Sequence, residues 1–253
     1  MAEVIISTHG ASFADVVAIA RDGAKVVISK ESLAAMQKSR DHVEALAASD
    51  TPVYGISTGF GALANRHVST DLRTQLQRSL IRSHAAGVGA PVEVEVVRAL
   101  MALRLKTLAS GRTGVRPVVA QTMAAILNAG ITPLVREFGS LGCSGDLAPL
   151  AHCALVLMGE GEAVDRDGVA KPVAQLLKEA GIEPVQLAEK EGLALINGTD
   201  GMLGMLILAI HDLRNLVDSA DVVAAMSVEG LLGTDRVFIP ELHAPLRSHP
   251  GQA

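Results

Sequence analysis

Residues 139–152 read G-S-L-G-C-S-G-D-L-A-P-L-A-H, and they restrict the folding of this chain more than any other stretch. A cluster of small residues, Gly142-Cys143-Ser144-Gly145, runs directly into an apolar helical pattern. Asp146 or Ser144 is placed to cap that helix, because their side-chain oxygens accept the orphan N–H groups of a first turn. Glycines on both sides of Cys143-Ser144 remove the Cβ penalty for unusual backbone angles. The spacing predicts a loop folded back on itself at the positive end of a helix dipole, a position that suits a group carrying or attracting negative charge. An ordinary glycine-softened loop and cap fits the same spacing. A serine-hydrolase nucleophile elbow does not, because it needs G-x-S-x-G and Gly145 arrives one place early.

The rest of the chain reads as mainly helical. Val4-Ile6 and Lys25-Ile28 are short β-branched runs that predict strands, and helices are expected at Phe13–Arg21 and Lys30–Ala48, with Ser12 and Ser29 as N-caps. Asp50 to Ser57 is expected to be extended, followed by a turn at Thr58-Gly61. Ser69 is expected to cap a helix to Ala86 that Gly87 ends. Pro91 suits a first helical turn and leads a pattern to Ser110, and Pro117 starts another that Asn128-Ala129-Gly130 ends. Asp146–Met158 follows the small-residue loop. Glu162–Pro172 predicts a hairpin around Asp167-Gly168, then a short helix to Ala180. A long apolar helix is expected from about Asp200 to Glu229. The expected fold is a mainly α protein, with an N-terminal, loop-rich region containing α/β elements followed by the long helices of a bundle.

Hydrophobic residues make up 49% of the 253 residues and charged ones 19%, below the roughly 25% charge usual in soluble domains. Charge so sparse implies helices buried on several faces, in an oligomer or against further chain. No membrane span is expected. The longest strongly apolar run, Met202 to Ile210, is far shorter than the ~20 residues a bilayer requires. A net charge of −5, no basic run, and 2% aromatics without Trp argue against nucleic-acid binding. Cys143 and Cys153 lie too close around one helix start for a structural disulfide, which fits a reduced, cytoplasmic protein. No signal-peptide pattern opens the chain. The eight histidines are scattered, with no H-E-x-x-H or C-x-x-C spacing for a metal.

Three further residues are placed for chemistry. Tyr54, the sole tyrosine, stands in Y-G-I-S-T-G-F-G, beside a glycine-rich turn; anchoring that loop is its simpler role. His84 stands in R-S-H-A-A-G near a helix C-terminus, which favours a charged imidazole. Asn197 stands in E-G-L-A-L-I-N-G-T, where Asn-Gly alone signals a turn. Arg112 and Arg116 are candidates for binding a carboxylate or for positioning loops.

Taken together, Tyr54–Gly61, Gly139–His152 and Glu191–Thr199 resemble three separate signatures of the histidine/phenylalanine ammonia-lyase family. The resemblance runs from about Val4 to the last residue. R-S-H-P-G-Q at Arg247–Gln252 resembles a segment near the middle of these lyases, so the chain is expected to be an N-terminal half. The resemblance implies the ammonia-lyase/fumarase-like superfamily of helical bundles. Residues 1–200 would carry the electrophile loop, and 201–253 would begin the central bundle.

The resemblance also implies that Cys143, Ser144 and Gly145 cyclise into a methylidene-imidazolone. In that chemistry the Gly145 nitrogen attacks the Cys143 carbonyl, water is lost, and loss of the Ser144 hydroxyl leaves an exocyclic methylene. The first residue of the triad is most often Ala in the family, and here it is Cys143. No metal or diffusible cofactor is implied. Tyr54 would exchange protons with substrate. A phenol ordinarily ionises near pH 10, so a base role needs surroundings that favour phenolate. Asn197 would lie beside the electrophile and substrate. Ser83-His84 resembles the histidine-specific members, where the imidazole contacts the substrate ring. The implied reaction is L-histidine to trans-urocanate and ammonia in a homotetramer. Tyrosine or phenylalanine ammonia-lyase and aminomutase chemistry are the alternatives, as is an inactive folded fragment.

Overall fold

The computed structural model describes residues 2–49, 51–140 and 145–244. In chain order the elements are β1 (Glu3–Ile6), α1 (Phe13–Ala20), β2 (Lys25–Ile28), α2 (Lys30–Ala47), α3 (Thr70–His84), β3 (Val88–Pro91), α4 (Val94–Ala109) and α5 (Pro117–Ala129). There follow β4 (Thr132–Pro133), β5 (Arg136–Phe138), α6 (Leu147–Leu157), β6 (Glu162–Val164), β7 (Ala170–Pro172), α7 (Val173–Ala180), α8 (Glu191–Ile196), α9 (Asp200–Gly230) and α10 (Pro240–His243). The fold is mainly helical, as the residue pattern implies.

Local chemistry explains the boundaries. Ser12 and Asp15 form a reciprocal capping box on α1, and the Ser29 hydroxyl accepts the Ser32 N–H to start α2. Gly130 and Gly181 end α5 and α7 in the left-handed conformation that an L side chain avoids. β1 and β2 pair in parallel. Asn128 of α5 completes the edge of that pair, with its amide bonding both the N–H and the C=O of Val26. Several features depart from the residue pattern. Ser69 stands at the N-cap of α3 but makes no side-chain bond there, and the helix stops at His84 rather than Ala86. Residues 54–57 form turns where an extended run is expected. Pro91 does not open a helix: it ends β3, whose antiparallel partner β5 lies far along the chain, and the helix begins three residues later. α8 is not expected from the residue pattern, and it starts from Lys190 in the left-handed region (φ 74°).

The described chain divides into two compact units, one running to Leu208 and the other starting at Ala209. In the first unit α4 is the central rod, buried continuously from Val97 to Leu105. Its Arg98 is buried yet satisfied, donating to the Ile19 carbonyl of α1 at 2.8 and 3.1 Å and to the Leu127 carbonyl of α5 at 3.2 Å. Both acceptors lie near helix C-termini, where a cation is favoured. Gly201 and Gly204 of α9 lie against Leu100 and Ala99, and their lack of a Cβ lets the two helices approach. The second unit holds the rest of α9, a 3₁₀ turn at Asp235–Phe238, and α10. There Leu213, Leu216, Val217, Val222, Val223 and Met226 are all exposed. Among the described residues no helix is long and apolar enough to cross a membrane.

Candidate active site

Gly145 is the described end of the small-residue loop, and its surroundings admit only glycine. Its φ is +78°, and a Cβ there would collide with the Gly198 carbonyl. Gly145 and Gly198 form a parallel bridge in which the Asp146 N–H donates to the Gly198 oxygen at 2.8 Å. That bond uses the neighbouring amide, so the Gly145 nitrogen is not consumed by it. Asn197 is therefore one residue from the point at which the loop end is pinned. Cys143 and Ser144, the other two members of the expected triad, lie outside the described residues, as does the Arg247–Gln252 segment.

Asp146 does not cap its own helix. It stands at the N-cap of α6 without a side-chain bond there. One carboxylate oxygen instead accepts the N–H groups of Gly201 (2.7 Å) and Met202 (3.0 Å), capping α9, and the other accepts the Ser140 hydroxyl at 2.9 Å. The α9 start is the stronger claimant because it offers two adjacent orphan donors, whereas the first turn of α6 includes Pro149, which has no N–H.

Beneath Gly198 lies a buried ion pair. Arg104 of α4 bonds Asp200, the first residue of α9, and also donates to the Ala194 carbonyl of α8 at 3.1 Å. Burial pushes the Asp200 carboxyl up, against the opposing pull of Arg104. Burial also pushes the Cys153 thiol far up, so this cysteine is a packed, protonated side chain. Arg104, Arg112, Thr113, Lys190 and Asn197 share the lining of a cavity of about 210 Å³. Arg104 Nε and Thr113 Oγ1 are buried there without a partner. A basic lining of this kind favours an anionic group. A larger cavity, about 680 Å³, lies along α3 and residues 184–187 and contains none of the sequence-predicted site residues.

Tyr54 is half exposed. Its oxygen accepts the Gly61 N–H at 3.4 Å, and its ring meets Phe60 edge-on at 6.1 Å. The loop is braced by Val53 N–H to Ser57 Oγ (2.9 Å) and Val68 N–H to Ser57 O (2.9 Å), and Gly55 sits against Leu193 of α8. Tyr54 thus rides on a loop packed one helical turn from Asn197. Among the described residues, the bonds of His84, the last residue of α3, are local. Its Nδ1 lies 2.9 Å from the Leu80 carbonyl and 3.0 Å from Ser83 Oγ. A carbonyl only accepts, so Nδ1 carries a proton, and in the neutral ring that tautomer makes Nε2 the acceptor. α3 packs on both α6 and α8. Among the described residues no hydrogen bond joins His84 to Tyr54, Gly145 or Asn197.

Residue reasoning missed several supports of this site. Glu191, fully buried at the start of α8, accepts from the backbone N–H of Arg116 and of Ala188 and twice from the Arg116 guanidinium, at 2.7–2.9 Å. Arg116 therefore positions loops, while Arg112 lines the Asn197 cavity. An arginine inside the apolar α4 pattern and acids opening α8 and α9 were the available signals. Among the described residues no cluster of three or more metal-ligating side chains occurs.

The chain matches the aromatic amino acid lyase family over residues 11–253. The chain belongs to that family. It is 66% identical over 252 residues to a histidine ammonia-lyase of Streptomyces griseus, which covers all of this chain and 49% of the relative. It is 44% identical over 234 residues to an MIO-dependent tyrosine 2,3-aminomutase of Streptomyces globisporus, covering 92% of this chain and 43% of the relative. The crystal structure of a histidine ammonia-lyase from Trypanosoma cruzi superposes with a TM-score of 0.89 at 35% identity, over 98% of this chain and 48% of that one. The chain spans about half the length of the curated relatives it matches. As a member of the aromatic amino acid lyases it has the fold that its residue pattern implies.

Proposed function

We propose that the protein to which this chain contributes the N-terminal half deaminates L-histidine to trans-urocanate and ammonia. The observation that carries the chemistry is Gly145. Its left-handed backbone, the Gly198 carbonyl where a side chain would stand, and a bridge bond made by the Asp146 N–H rather than its own fit the attacking member of a cyclising Cys143-Ser144-Gly145 triad. The resulting methylidene-imidazolone would supply an electrophile that turns the substrate amine into a leaving group. The electrophile would come from the chain itself, and the reaction is redox-neutral, the substrate losing its amine and one β-hydrogen, so it needs no external oxidant or reductant.

The chain's own residues supply the rest. Tyr54 receives the β-proton. The Gly61 N–H holds its oxygen, and its half-exposed ring leaves room for substrate. His84 presents Nε2 as an acceptor for the substrate imidazole N–H. Asn197 places its amide beside the electrophile, its backbone fixed through Gly198. The preference for histidine over tyrosine rests on His84 and on identity, 66% against 44%.

Residues 1–200 carry the electrophile loop, and residues from 201 onward begin a central helical bundle. The protein works in the cytoplasm as a homotetramer. The exposed apolar residues of α9 support such packing, since exposed patches of this kind mark contact surfaces. This chain alone turns over weakly or not at all. The test compares urocanate with coumarate and cinnamate formation by the full-length protein. Urocanate as the dominant product supports the reading, and dominant coumarate or cinnamate overturns the substrate assignment. Intact mass tests the electrophile separately: a ring leaves the chain two waters lighter than its sequence.

A further inference from the structure

We propose that Arg104 is a positioning residue for ring closure, holding in register the bridge on which Gly145 rests. This rests on the reading of residues 143–145 as the electrophile precursor. Arg104 comes from the middle of α4, with its side chain 3% exposed. One terminal nitrogen donates to the Ala194 carbonyl in α8 and the other to the Asp200 carboxylate at the first residue of α9. Those anchors flank Asn197-Gly198-Thr199 on both sides. The planar guanidinium fixes the distance between them, which a flexible ammonium does not.

Gly198 lies directly on this clamp, and a Cβ there would run into both the Arg104 guanidinium and the Asp200 carboxylate. From its other side Gly198 pairs with Gly145 and accepts the Asp146 N–H. The order of contact is Arg104, Gly198, Gly145, with no side chain intervening. Ring closure forms one bond, from the Gly145 nitrogen to the Cys143 carbonyl carbon. The carbonyl oxygen leaves as water with the amide protons of Gly145 and Ser144. The Ser144 hydroxyl leaves as a second water with its Cα proton. The first step depends on where the Gly145 nitrogen is held, and small misplacements of reacting atoms cost large factors in rate. An ion pair serving stability alone has no need to sit against the peptide that fixes the attacking residue.

The experiment follows refolding of the full-length protein by circular dichroism and loss of two waters by intact mass, in parallel. Arg104→Lys keeps the charge facing Asp200 but loses the two-pronged tie. The Arg104→Met/Asp200→Leu pair removes both charges, so no buried ion is stranded. Arg98→Lys perturbs another buried arginine of α4, one that binds the Ile19 and Leu127 carbonyls near helix ends. Both Arg104 variants are expected to refold yet lose water about tenfold or more slowly than wild type, and Arg98→Lys to lose water at the wild-type rate once folded. Folded Arg104→Lys closing as fast as wild type would overturn the proposal. So would refolding and water loss slowing in step, because that is the signature of a merely structural pair. A wild-type protein whose mass never falls would instead overturn the reading of residues 143–145 itself. If the double variant does not fold, the lysine variant still decides.

Discussion

Nε2 of His152 accepts the Gly87 N–H at 3.1 Å, so a residue of α6 holds the chain three positions beyond His84. Acceptance requires the neutral ring. Burial lowers the His152 pKa, and the Arg136 charge lowers it further. The unfolded chain binds a proton near the ordinary value of about 6.5, which the folded state resists. The contribution is therefore complete above about pH 6.5 and is lost as the pH falls through the lowered folded value. His152→Gln keeps an acceptor that does not titrate. We expect it to flatten the decline in stability between about pH 7 and pH 5. Urea midpoints measured across that range check this, and an unchanged slope in the variant contradicts it.

Asp146 serves α9 rather than α6. Its removal should therefore destabilise a helix that starts 54 residues away, since 200 − 146 = 54. Asp146→Ala leaves the Gly201 and Met202 N–H groups without their acceptor. The cost should be about 2 kcal/mol, the upper end of the range for a lost N-cap. Ser140→Ala removes only a donor to the same carboxylate and should cost about 1 kcal/mol or less. Denaturant titrations of the two variants measure the difference, and equal costs would remove the cap assignment.

Gly145→Ala places a methyl group against the Gly198 carbonyl and asks an L residue to hold φ +78°. A strained left-handed residue costs about 1–3 kcal/mol, and relieving the clash means separating the bridge. The variant should fold with reduced stability and keep its full sequence mass, because the nitrogen no longer sits where closure needs it. A variant two waters lighter than its sequence would show that the bridge is not required.

Glu191 collects four hydrogen bonds in a fully buried position, and its guanidinium partner Arg116 is about one-third exposed. Glu191→Gln keeps the size but loses the charge and part of the accepting capacity. Breaking a buried pair costs about 3–5 kcal/mol, and the exposure of Arg116 puts this case at about 3 kcal/mol. Since α8 carries Asn197 at its end, activity should fall with it. Calorimetry of the variant checks the stability term, and a melting point within a degree or so of wild type (a shift expected for well under 1 kcal/mol) would contradict it.

The helix starts at Ser12 and Ser29 and the stops at Gly130 and Gly181 were legible because each rests on a local hydrogen bond or backbone conformation that the residue type alone announces. The β3–β5 pair was not. Its partners are distant in sequence, and Pro91 carries a stronger local signal for a helix start than for a strand end. Tyr54, His84, Gly145 and Asn197 were legible as candidates from their motifs. The residues that support them were not, since Asp146, Arg104 and Glu191 bond atoms 55 to 96 positions away and no spacing rule reaches that far. Asp146 shows the failure most clearly: local logic hands its carboxylate to the adjacent helix, and tertiary structure gives it to another.

His84 decides the substrate ring in the proposed reaction, and its bonding makes the test specific. With Nδ1 donating to the Leu80 carbonyl, the neutral ring leaves Nε2 as the accepting nitrogen, suited to an imidazole N–H and of no use to a phenyl ring. His84→Leu in the full-length protein removes that acceptor while keeping a side chain of similar bulk. A substrate hydrogen bond lost in this way should lower kcat/KM for histidine by about tenfold to a hundredfold. Phenylalanine, which never used the bond, should lose little or gain. Ring closure precedes substrate binding, so intact mass should still fall by two waters, which separates a specificity defect from a missing electrophile. Steady-state rates on both amino acids check the ratio, and histidine turnover equal to wild type would remove His84 from the specificity argument.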